Sequence, residues 1–98
     1  MQNATCRVIE PNGKIAKKEL RTDNVQNQLA DLYKMIDTQV IQLLYLPKTK
    51  EYAIMDENGL LRGNPQANAT AQRYVFEQTG QPHPLVGNIV IVDEKYVL

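Results

Sequence analysis

Apolar and polar positions alternate from the start of the chain. In "ATCRVIEPNGKIAKKEL" the alternation sets Ala4, Cys6 and Val8 on one face of a strand, and Thr5, Arg7 and Ile9 on the other. Asn12-Gly13 suits a two-residue type I′ turn, whose central residues both need positive φ. Residues 4 to 10 and 14 to 20 are therefore predicted to form a hairpin. The second strand alternates poorly, and its Lys17, Lys18 and Glu19 suit a sheet edge, where charge discourages further pairing.

The period then changes. Val25, Leu29, Leu32 and Ile36 recur at helical spacing and predict a helix over 24–36. Asp23 is the expected N-cap, with Gln26 as its reciprocal partner in a capping box. "VIQLLYL", residues 40 to 46, is apolar on both faces apart from Gln42. That predicts a central strand covered on each side, or one with a face in an oligomer contact. Pro47 to Lys50 should turn, and "EYAIM" should return as the next strand.

Asn58-Gly59 predicts a second tight hairpin, pairing residues 51–57 with 60–62. Asn64 is expected to cap a second helix, with Pro65 at its first position, where no needed hydrogen bond is lost. Ala67, Ala71, Tyr74, Val75 and Gln78 would lie along one side of it. Gly80 suits its C-terminal end, and Pro82 and Pro84 prevent continuation. "GNIVIV", residues 87 to 92, reads as a buried strand that "KYVL" extends or pairs with. The order β-β-α-β-β-β-α-β predicts one α+β domain over 1–98: a mainly antiparallel sheet of five to six strands with two helices packed against it.

Composition narrows the function more than the fold. The 98 residues are 43% hydrophobic and 22% charged, the balance of a folded domain. Eleven basic and eleven acidic residues leave no net charge, so the basic excess of a dedicated nucleic-acid binder is missing. The single cysteine, Cys6, cannot form an intrachain disulfide. No apolar run approaches the roughly 18 residues of a membrane span, and no signal-peptide pattern opens the chain, so a cytoplasmic protein is expected.

The candidate chemistry is sparse. Asp56 and Glu57 are adjacent on a predicted strand and point to opposite faces, which suits a solvated hairpin shoulder better than an acid/base pair. Asn64 and Asn68 lie one helical turn apart, and Asn68 is close to the apolar stripe. Its amide is expected to bond to nearby backbone, chiefly that of the preceding hairpin. The rival reading is a ligand site formed by Asp56, Glu57, Asn64 and Asn68, taking an anion at the helix start. Cys6 suits inert packing and His83 a loop, with no third group to orient a nucleophilic pair. Together they supply too few ligands for a closed zinc site, so neither metal nor cofactor is expected. Lys14, Lys17, Lys18, Arg21, Lys48 and Lys50 would form a positive face if the two hairpins lay side by side. Solvated surface charge is the plainer account. Gly-rich phosphate loops, paired helical histidines and nucleophile elbows are absent from the sequence.

"MDENGLLRGNPQANATA", residues 55 to 71, with "LYKMIDTQVIQL" before it and "LVGNIVIV" after, resembles a family of small domains of unknown function, number 3846 among such families. Its members occur in bacteriophages, plasmids and bacterial genomes. Asp56, Glu57, Gly59 and Leu60 match the family's acidic turn. Asn68 and Ala71 match its helix, and Val86 and Gly87 its closing strand. Tyr33, Asp37, Thr38 and Gln42 depart from the pattern. The resemblance spans residues 29 to 92 and implies a phage or mobile-element setting rather than an activity.

The expectation is therefore a non-enzymatic binding or protein-interaction domain, without a membrane partner, engaging itself or an unknown protein as a homo-oligomer or complex. The alternatives are a small anionic ligand or nucleotide at the second helix start, and a weaker nucleic-acid contact through the lysines.

Overall fold

The computed structural model describes residues 3–98. Strands β1 (Asn3–Ile9), β2 (Ile15–Arg21), β3 (Ile41–Leu46), β4 (Glu51–Asp56) and β5 (Ile89–Asp93) form one sheet in the order β2-β1-β5-β4-β3. Every neighbouring pair is antiparallel. Helices α1 (Val25–Ile36) and α2 (Ala69–Thr79) cover the two faces. The chain is an α+β domain with a helix–sheet–helix layering.

β5 explains the layering. Its Val90 and Val92 pack with Leu32 and Ile36 of α1, while Ile89 and Ile91 pack with Ala71 and Val75 of α2. Successive side chains point to opposite faces, so a strand that is apolar throughout must be covered twice. Residues 40 to 46 do not take the central place expected of them. β3 is an edge strand, and β5, the last in sequence, takes the centre between the two hairpins.

Three local expectations are corrected by competing chemistry. The β1–β2 turn is not the two-residue I′ type, because Asn12 does not have positive φ and only Gly13 does, at 91°. That turn would need a hydrogen-bonded pair at Pro11, which has no N–H to give. Glu10 and Lys14 close the ladder instead, with Gly13 N–H donating to Glu10 O. The cap of α1 is Asn24, whose Oδ1 accepts from Asn27 N–H at 2.8 Å. Asp23 accepts from the Asn27 side chain, and the capping box with Gln26 is not formed. The buried stripe of α1 is Gln28, Leu32 and Ile36, and Val25 at its start is exposed.

The second asparagine–glycine corner does not make a hairpin. Residues 60–62 form no strand; Gly59–Leu61 is a single 3-10 turn after β4. Nor does α2 begin at Asn64. It begins after Asn68, and Ala67 instead bridges Val86 ahead of the helix. At the C-terminus Glu94–Tyr96 is another 3-10 turn rather than strand. Buried Gln28 anchors this end of the chain, donating to Tyr96 O and accepting from Leu98 N–H.

Candidate functional site

Of the candidates Asp56, Glu57, Asn64 and Asn68, Asp56 and Asn64 come together at the end of the sheet where α1 stops. Asp37 ends α1 in the left-handed region, at φ 61°, and Thr38 follows it. There Thr38 Oγ1 donates to Asp56 Oδ1 at 3.0 Å. Arg62, just past the 3-10 turn, donates from Nε to Asp56 Oδ2 at 2.7 Å and from Nη2 to Thr38 Oγ1 at 3.0 Å. Asn58 N–H donates to the other carboxylate oxygen. Asp56 is thus not a solvated shoulder: its side chain is 11% exposed. Arg62 holds its carboxyl below the ordinary value; burial opposes this, while Asn58 N–H and Thr38 assist. Glu57 next to it is exposed.

Gly59 closes this knot from the other side. A Cβ there would lie 2.7 Å from Val86 Cγ2, so the glycine serves close packing and not a turn angle. A cleft of about 240 Å³ remains, walled by Asp37, Arg62, Asn64, Gln66 and Asn88 among others. The guanidinium in it is already matched by Asp56, and Asp37 adds a further negative charge beside it. An anion would find little net attraction there.

Asn68 is set apart from that cleft. It is 0% exposed. Its Oδ1 accepts from Ala71 N–H at 3.0 Å, and its Nδ2 donates to Ile9 O and Gly87 O, each at 2.8 Å. The backbone partners are those of β1 and the lead-in to β5, not the preceding hairpin. Both amide hydrogens are used. Among the described residues, no buried side-chain nitrogen or oxygen lacks a partner.

The other candidates are dispersed. Cys6 is buried in the core beneath α1, beside Met35, and burial pushes its thiol up to about 11. His83 lies on the opposite face, near Gln42, Met55 and Leu85. The basic residues do not form one face, because β5 separates the hairpins and puts β2 and β3 at opposite edges. Arg21 is bound to Asp31 on α1, and Lys48 donates to Glu77 O at the end of α2. Among the described residues, no group of three or more His, Cys, Asp or Glu is placed to hold a metal ion, and no helix is long and apolar enough to cross a membrane.

What the sequence concealed is the free edge of β3. The register pairs Ile41 with Asp56, and one step out Glu57 N–H donates to Val40 O. Even-numbered residues of β3 therefore bond towards β4, and the N–H and C=O groups of Ile41, Leu43 and Tyr45 point away from the sheet. No residue from Ile41 to Leu46 is charged, and none is proline. Leu43 is 40% exposed, Tyr45 39% and neighbouring Val40 41%. The β2 edge carries Lys17, Lys18 and Glu19. One edge is defended and the other is open. The absence of charge in "IQLLYL" was visible from the sequence, but it reads equally as a buried centre until the strand order is known.

A family model described as a domain of unknown function, DUF3846, matches residues 5–96, and the chain belongs to that family. Neither a curated protein nor a solved structure matches it.

Proposed function

We propose that this member of the DUF3846 family is a non-enzymatic protein-interaction domain, working in the cytoplasm in a phage or mobile-element setting, whose binding element is the open edge of its sheet. The observation that supports this most is β3 itself. Its outward N–H and C=O groups offer a template for one more strand, and exposed Leu43 and Tyr45 offer apolar contact beside it. Natural sheets usually blunt such an edge with charge, proline or a covering segment, as this one does at β2. Leaving β3 bare suits a strand that is covered by a partner.

A small-ligand reading is less well supported. The cleft beside Arg62 has its charge matched from within, and Asn68 has no free donor. The test is photo-cross-linking in host cells, with a benzophenone amino acid placed at Leu43 and, as a control, at Phe76 on the outer face of α2. Discrete protein adducts are expected from position 43 and should vanish with Tyr45→Lys. Adducts from position 76 alone would sink the proposal.

A further inference from the structure

Resting on that reading of the β3 edge, we infer that its occupant is the β3 edge of a second copy, paired antiparallel with Leu43 on the two-fold axis. The register is set by which groups are free. Only Ile41, Leu43 and Tyr45 present backbone bonds outward. A two-fold normal to the sheet makes strands antiparallel and keeps each face continuous, so it can centre on a residue of β3. With Leu43 on the axis, Ile41 of each copy faces Tyr45 of the other. Every outward N–H and C=O of the strand then finds a partner, each facing pair exchanging two bonds.

Centring on Leu44 is poorer. Leu43 would then face Tyr45, and Ile41 would fall opposite Pro47, which has no N–H to donate. The Leu43 register ends where the chain's chemistry ends, because Pro47 closes β3 on its far side.

Side chains agree with this choice. On the α1 face Leu43 meets Leu43, and Ile41 meets Tyr45, covering the exposed apolar groups of that strand. On the α2 face Gln42 meets Leu44. Extended past the strand ends, the register sets Lys48 against Thr38 and Thr49 against Asp37, so no like charges oppose one another.

The same operation suits β2 less well. An axis on Lys17 or on Glu19 puts like charges face to face, and an axis on Lys18 sets Lys18 on Lys18 between its two Lys17–Glu19 pairs, with no apolar contact at its centre. Self-pairing therefore favours the β3 edge. The product is a closed dimer with one continuous sheet, and not a fibre.

The experiment is disulfide trapping in the full chain with Leu43→Cys. Facing hydrogen-bonded residues of antiparallel strands lie about 5.5 Å apart at Cα, which a disulfide spans. Native Cys6 is buried and does not compete. Mild oxidation is expected to convert most of L43C to a covalent dimer. I41C and Y45C should each stay largely without a covalent link alone and cross-link when mixed. The unmodified chain should elute as a dimer under light scattering, and Leu43→Lys as a folded monomer with an unchanged circular dichroism spectrum. A strict monomer at high concentration, or trapping by Leu44→Cys in place of L43C, would overturn the self-pairing. If adducts from position 43 in cells run to another protein and L43C does not cross-link, self-pairing falls while the edge remains the binding element. If position 43 yields no adducts at all, the binding reading itself falls.

Discussion

Asn68 shows how much a single side chain fixes in this molecule. Its amide ties the first turn of α2 to the end of β1 and to the segment entering β5, so three parts of the chain distant in sequence share one residue. A buried donor or acceptor left without a partner costs about 1–3 kcal/mol. Asn68→Ala strands the carbonyls of Ile9 and Gly87 and the N–H of Ala71 together, so a loss of roughly 3 kcal/mol or more is expected in urea denaturation. Asn68→Asp should be worse, because it turns a carboxylate oxygen towards two carbonyl oxygens with no compensating donor. A variant within about 0.5 kcal/mol of the parent would mean the site relaxes or admits water. Cys6 is inert for a related reason: burial raises its thiol to about 11, which leaves almost no thiolate near neutrality.

Elements, more than residues, mark where the sequence was legible. The first hairpin, α1, β4 and β5 lie close to where hydrophobic period and turn residues put them, because each rests on local chemistry alone. The two largest departures arise where other hydrogen bonds compete with good local signals. Asn64-Pro65 has good helix-start chemistry, but Gln66 O accepts from Gly87 N–H and Ala67 bridges Val86, and that pairing uses up the residues of the expected first turn. Asn58-Gly59 has good hairpin chemistry, but Asp56 binds Asn58 N–H and Arg62 and bends the chain into a 3-10 turn. Asp56 and Gly59 could be picked out by eye; Thr38 and Arg62 could not, because nothing local links them to Asp56. Gly59→Ala tests this account. The new methyl would press on Val86 Cγ2, and such overpacking costs about 1–3 kcal/mol. Val86→Ala should recover part of that loss in a double-mutant cycle. If the two effects simply add, close packing is not the reason for the glycine.

At the scale of the whole molecule, two ion pairs fasten α1 and its exit to the sheet. Asp31 on α1 accepts from the Arg21 side chain and backbone N–H at the end of β2. Asp56 at the end of β4 is bound through Arg62 and Thr38 to the segment leaving α1. Arg21 and Arg62 hold these two carboxyls below their ordinary values against the opposing effect of burial. Each carboxyl therefore releases its proton at lower pH in the folded chain than in the unfolded one. Between the two values the unfolded chain binds more protons, so stability rises with pH there. The contribution is complete above the ordinary carboxylate range, near pH 4, and is lost as pH falls through the folded values. Urea midpoints should accordingly hold from neutrality down to about pH 5 and drop below that. Asp56→Asn should be less stable than the parent at pH 7, and the gap should narrow towards pH 2. Asp31→Asn should behave the same way, and the double variant should have the flattest acid limb. The loop knot and the first hairpin share no partner in these pairs, so their effects should be close to additive. A parent whose stability is level from pH 7 to pH 2 would show that neither pair holds the helix to the sheet in solution.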